Sequence, residues 1–167
     1  LVNFLKAHAG SLARKKRLSE DIMLLPYDKQ QELLKTYHIG DGDFYRRRPF
    51  DSLTYRIVTT STFLAVQIQE IFARGGIFAS IKEVFKKEHV IEGRRIGPSQ
   101  MYIISFKLER YHEFIHRAKD YFLIPIRDVK ERLYKGVVYN FQVLGMPNSY
   151  LVKGFAVHNC GAAIATS

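Results

Sequence analysis

The chain has 167 residues, 47% hydrophobic and 25% charged, values of an ordinary folded domain that exclude general disorder. Lys and Arg number 26 against 16 Asp and Glu, a formal net charge of +10, which favours a polyanionic partner, most often nucleic acid. No run reaches the ~20 apolar residues of a membrane span, so no membrane partner is expected.

Residues 1–25 are basic at first, with Lys6, Arg14, Lys15, Lys16 and Arg17 interrupting any signal-peptide core, and then carry the apolar cluster Ile22 to Leu25. Pro26 marks a helix start, Asp28 to Leu34 are mostly helix formers, and Gly40-Asp41-Gly42 ends the helix. Phe44 to Arg48 and Thr54 to Thr60 read as strands around a turn containing Pro49. Leu64, Ile68, Ile71 and Phe72 fall at i, i+4, i+7 and i+8, an amphipathic helix over 62–74 that Gly75-Gly76 closes. Ile77 to Val84 and the stretch bearing Tyr102, Ile104, Phe106 and Leu108 read as two more strands, and Arg110 to Phe122 as a further helix. After Pro125 short β-rich runs follow at 126–129, 136–143 and 150–157. A boundary is expected near 124, and the segment 125–159 is too short to bury a core alone. The single cysteine, Cys160, excludes an internal disulfide and favours a reducing compartment. The start at Leu1 instead of Met suggests a fragment or one piece of a split protein.

The run Gly154-Phe155-Ala156-Val157-His158-Asn159-Cys160 carries chemistry. An Asn side-chain nitrogen can attack its own backbone carbonyl, closing a succinimide and breaking the following peptide bond. Held attack geometry can contribute about 7–11 kcal/mol to such a step. His158 adjoins the bond and can transfer a proton near neutral pH. Cys160 supplies a thiol that can take an acyl group. Together with Tyr134 to Val143 and Ser149 to Phe155, this run resembles the closing pattern of inteins over about 35 residues. The resemblance implies that Asn159 cyclises, His158 assists, Cys160 is the first extein residue, and 160–167 are C-extein or an added tail. Asn140 stands where that family commonly has Asp, and Asn148 where it commonly has a second His. Leu1 offers no nucleophile for the first acyl shift, so an N-terminal intein fragment is the implied partner, with no cofactor for splicing. A prokaryotic or phage host and a cytoplasmic location go with that reading.

Asp41 ends the first long helix, and Arg46, Arg47, Arg48 and Arg56 lie on or beside the two strands that follow. A carboxylate there can hold Mg²⁺ and a twisted basic ribbon can enter a DNA major groove. With Arg14 to Ser19, Leu33 to Gly42 and Thr59 to Ile77, these residues resemble a repeat of the LAGLIDADG homing endonucleases over roughly 9–123. The resemblance implies a metal ligand at Asp41, Mg²⁺ if the endonuclease is active, DNA contacts from the four arginines, and double-stranded DNA as a second partner. The implied fold class is α+β: a LAGLIDADG-like αββαββα half-domain over 1–124, then C-terminal β-strands of a Hint-type all-β splicing domain over 125–159.

Two further readings compete. One is a stand-alone DNA-binding or DNA-cutting module. The other is a zinc hydrolase, because His112-Glu113-Phe114-Ile115-His116 on a helix would set two imidazoles on one face with Glu113 as base. Glu131 is the nearest acid for a third ligand, across the expected boundary.

Overall fold

A computed structural model describes residues 2–91, 93–108, 114–139, 141, 143–145, 148–152 and 154–158. The chain divides into two compact units, 1–125 and 126–167. The first opens with helices α1 (Val2–Ala9), α2 (Glu20–Met23) and α3 (Tyr27–Asp41). Strands β1 (Gly42–Tyr45) and β2 (Thr54–Thr59), helix α4 (Thr62–Arg74) and strand β3 (Ala79–Lys86) follow. A small hairpin of β4 (His89–Ile91) and β5 (Arg94–Ile96) leads to β6 (Ser99–Phe106). A second small hairpin, β7 (His116–Arg117) and β8 (Phe122–Leu123), precedes the second unit, which contributes β9 (Ser149–Val152) and β10 (Phe155–His158). The mixed α+β class expected from the sequence is observed.

The main sheet is antiparallel with order β1-β2-β6-β3. Its register sets Ile57 opposite Ile104, and Ile104 opposite Ile81. Because strand side chains alternate between faces, the row through Tyr55, Ile57, Ile104, Phe106 and Ala79 points one way. Helix α4 covers that face. Leu64, Ala65, Ile68, Ile71 and Phe72 make one buried stripe along it. They form the core with Ile57, Ile104, Phe106, Ala79, Leu34 and Leu18.

Local chemistry explains where α4 starts and stops. Ser61 is fully buried, and its hydroxyl accepts from the Leu64 N–H at 3.2 Å, capping an otherwise unpaired donor. At the other end Gly76 takes φ +70°, and Ile77 N–H donates to the Phe72 carbonyl at 2.9 Å. A glycine there relieves the left-handed turn that lets the chain reverse into β3. Helix α3 is more weakly amphipathic, with Gln30 and Leu34 buried and Leu33 and Tyr37 packed partly against the core.

Three expectations about secondary structure are corrected. Residues 114–122 are not helical: β7 and β8 pair, the Ala118 N–H donates to the Tyr121 carbonyl at 2.8 Å, and Phe122 meets Phe78 edge-on at 5.6 Å. Of the apolar residues that suggested a helix, Phe122 makes that contact while Phe114 is exposed. The expected strand 44–48 is displaced, since β1 ends at Tyr45 and the arginines lie in the loop beyond it. The runs 126–129 and 136–139 form no strand. A strand needs a neighbour to satisfy its backbone groups, and in this unit the described pairing is confined to β9 and β10.

Because Ile104 is fully buried at the middle of β6, Ile104→Ala should lower unfolding stability by about 2–5 kcal/mol in urea titrations. Phe50 is 99% exposed, and Phe50→Ala should change it by no more than about 0.5 kcal/mol.

Candidate functional site

The residues singled out in the first unit gather where α3 runs into the β1–β2 hairpin. Asp41 is the last residue of α3 and is exposed. Three residues before it, His38 turns its Nε2 to within 3.0 Å of the Asp43 carbonyl oxygen, and its ring meets Tyr55 at 5.4 Å and Phe106 at 6.1 Å. Tyr55 stacks on Phe106 at 5.6 Å, so this end of α3 rests on an aromatic group.

The register places Asp43 directly opposite Arg56. The guanidinium grips the carboxylate with both prongs, Nε to Oδ1 and Nη2 to Oδ2, each at 2.6 Å. Its carbon also lies 4.8 Å from the centre of the Tyr45 ring. Donation from Arg56 holds the Asp43 carboxyl below its ordinary value of 3.8. Arg56 is thus committed to Asp43, whereas Arg47 and Arg48 stand exposed in the loop after β1 beside Arg46, which donates to the Pro49 carbonyl at 3.3 Å.

Asp41 acts on Tyr37 one turn back. Burial, with a smaller contribution from the Asp41 charge, pushes the Tyr37 phenol above its ordinary value, and a hydrogen bond to Thr59 opposes the rise. Among the described residues no group of three or more His, Cys, Asp or Glu gathers to hold a metal. The residues around Asp41 therefore do not make a Mg²⁺ site by themselves, since such a site needs several oxygen ligands.

The second group of residues lies in the second unit. His158 ends β10, exposed, and pairs with Ser149 of β9. Asn148 precedes Ser149 and takes φ +50°, with its N–H donating to the Gly145 carbonyl at 3.1 Å. That left-handed conformation suits asparagine at a turn and brings Asn148 beside the register partner of His158. Asn140, Asn159 and Cys160 lie outside the described residues. So do His112 and Glu113, while His116 sits exposed on β7. The helix that would have aligned the zinc motif is replaced by a hairpin over the described part of that segment.

Comparison with known proteins bears directly on these groups. No family model matches the chain. Iron–sulfur cluster assembly SufBD family proteins of Mycobacterium bovis and Mycobacterium tuberculosis are 34% identical over 166 residues, which cover 98% of this chain. The chain spans 19% of their length. An ATP-dependent DNA helicase, Hel308, of Thermococcus kodakarensis is 29% identical over 154 residues, covering 83% of this chain and 14% of the helicase.

The SufBD names overturn the family assignment drawn from sequence. They describe iron–sulfur cluster assembly, and none mentions protein splicing. The identification as the C-terminal part of an intein with a LAGLIDADG endonuclease half-domain is corrected on that finding. The splicing and homing-endonuclease functions and the N-terminal intein fragment as partner go with it. The stand-alone DNA module and the zinc hydrolase do not match those names either.

Sequence reading missed Asp43, because its pairing with Arg56 depends on the length of the intervening loop. It also missed Gln67, whose amide faces Leu18 across 49 positions of sequence. A glutamine amid the apolar stripe of α4 was the readable signal.

Since the folded pKa of Asp43 lies below its unfolded value, its pair with Arg56 stabilises the fold above the unfolded pKa. That contribution is lost as pH falls through the folded pKa. Both side chains are more than a third exposed, so the effect stays below about 1 kcal/mol. Arg56→Ala should therefore shift the urea midpoint more near neutral pH than in acid, the difference closing as pH falls through the folded pKa of Asp43. Equal shifts at both would show that the ion pair is not the cause.

Proposed function

We propose that this chain is a module carried within a longer iron–sulfur cluster assembly protein of the SufBD family. The observation that supports this reading is 34% identity running through 98% of the chain. On this reading its partners are the rest of such a protein and the assembly components it works with, and its location is cytoplasmic. No helix of the described residues is long and apolar enough to cross a membrane.

The module's part is a scaffold's, not a cluster ligand's. Iron–sulfur clusters are held mainly by sets of cysteine thiolates, and the chain has one cysteine. The likeness to a helicase supports the same division, because two differently named proteins share this segment while it makes up a fifth or less of each. As a finer fold, the order α3-β1-β2-α4-β3-β6 supports a LAGLIDADG-like half-domain over 1–124. The hairpin β9–β10 supports a Hint-type β architecture over 125–159. Both are proposals about architecture alone.

The enzymatic reading is narrower and concerns one bond. Cyclisation of Asn159 onto its own carbonyl would release the amine of Cys160, with His158 donating the proton to that leaving amine. The tripeptide supports it, as does the register that holds His158 at the end of β10. The event is single-turnover and acts on the chain's own backbone.

Two measurements test these readings. Anaerobic incubation of the chain with ferrous iron and sulfide should leave it without bound cluster, read by visible absorbance and iron analysis. Stoichiometric cluster on the isolated chain would overturn the scaffold role. Intact mass after prolonged incubation should show loss of residues 160–167, and Asn159→Ala should abolish that loss. Equal cleavage in the variant would remove Asn159 from the chemistry.

A further inference from the structure

The described residues of the second unit leave much of their apolar surface in water. Leu133, Tyr139 and Leu144 are each at least 85% exposed. The run Val137-Val138-Tyr139 has the β-branched and aromatic make-up of a strand, yet it forms none. Phe141 meets Tyr150 edge-on at 5.4 Å, but the rest of the set is not drawn in behind that contact. Burying one large apolar side chain contributes about 1.5–3 kcal/mol, and residues this exposed forgo that term.

The β9–β10 hairpin is apolar on both sides. Its register sets Leu151 opposite Ala156, and Tyr150 opposite Val157. Alternation sends the first pair to one face and the second to the other. Leu151 is exposed on one face and Phe155 on the other. A strand pair that faced water on one side would carry polar residues there, so this pair has the composition of strands inside a larger β structure.

Its edges carry the sharper signal. A sheet edge presents unpaired N–H and C=O groups, and edges that stay free are commonly guarded by charged side chains or proline. The sheet of the first unit follows this rule: its edge strand β3 bears Lys82, Glu83 and Lys86, and β1 at the other edge bears Asp43. By contrast β9 reads Ser149-Tyr150-Leu151-Val152 and β10 reads Phe155-Ala156-Val157-His158, with no Lys, Arg, Asp, Glu or Pro in either. Ser149 and Tyr150 are half-buried, whereas β10 is exposed along its whole length. The unguarded edge open to another strand is therefore that of β10.

We propose that the free edge of β10 takes an added β-strand, uncharged and apolar at alternate positions, from a part of the same longer protein that lies outside this chain. This rests on the reading above that the chain is carried within such a protein. The chain spans 19% of the SufBD relatives' length, so most of such a protein is available to donate the strand. A donor on the same polypeptide acts at an effective concentration that reaches the millimolar range, which a second copy of the chain meeting the edge by collision does not match. Strand addition pairs the row of β10 backbone groups that β9 leaves free, and it lays apolar side chains beside Phe155 and Val157.

Hydrogen exchange, compared between this chain alone and the longer protein that carries it, tests the proposal. In the chain alone the amides of 155–158 should exchange within about tenfold of an unfolded peptide, at every protein concentration. In the longer protein they should exchange at least about a hundredfold more slowly. There Phe155→Lys should undo most of that slowing and leave the Ile104 amide unchanged. Protection in the chain alone that grows with concentration assigns the edge to a second copy, and protection independent of concentration assigns it to this chain; either result overturns the proposal. Equally fast exchange in both proteins, or a variant protected like the wild type, also overturns it and leaves the module reading intact. A native protein containing nothing beyond these residues would instead sink the module reading, and this inference with it. The wild-type comparison decides the matter if the variant does not fold.

Discussion

The first unit depends on one contact: the buried stripe of α4 against the centre of the sheet. Ile57 and Ile104 are neighbours across β2 and β6 and are fully buried, as are Ile68 and Ile71 above them. Phe72 and Phe106 bring their rings to 4.1 Å at one end of this layer. Removing apolar surface from water is the dominant favourable term in folding, and here it is concentrated in a single helix on four strands. The layer also positions the residues gathered at the end of α3. It fixes β2, hence Arg56, and supports the aromatic group on which His38 and the end of α3 rest.

Polar groups at the margin of the layer determine how its parts are joined. Thr59 lies where Tyr37 of α3 meets the Ser61 turn: it bonds the phenol, and its hydroxyl accepts from the Ser61 N–H at 3.2 Å. Ser61 in turn caps α4 and holds Lys16. A buried polar atom without a partner is expensive, so this chain of satisfied groups specifies one arrangement of α3, α4 and the segment at Lys16. The second unit is built on other terms. Its described pairing is a two-stranded hairpin, and Leu133, Leu144 and Leu151 are largely exposed. A lone hairpin is at best marginally stable in water.

The likeness to SufBD proteins and to a helicase concerns a segment that is a minor part of each. A likeness of this kind supports a shared fold, and a fold does not by itself carry its bearer's chemistry. The closing pattern illustrates the converse: about 35 residues, Tyr134 to Val143 and Ser149 to Cys160, resembled a family whose name the relatives do not share.

The sequence alone determined the local elements whose signals are local. Helix α4 was legible from the spacing of Leu64, Ile68, Ile71 and Phe72 and from the closing glycines, and the end of α3 from Gly40-Asp41-Gly42. Strands β2, β3 and β6 were legible within a few residues, because alternation follows from the strand's own geometry. Tertiary structure decided what depends on partners distant in sequence. The pairing of Asp43 with Arg56 required the β1–β2 register, and the grip of Gln67 on Leu18 required the N-terminal segment to fold back over α4. The segment 114–122 pairs as a hairpin, with Phe122 meeting Phe78, a partner more than forty residues earlier that periodicity could not reveal. Among the described residues after Pro125, the strands are β9 and β10, each with the other as its neighbour. Periodicity records which face of an element is apolar; it cannot record what that face will meet.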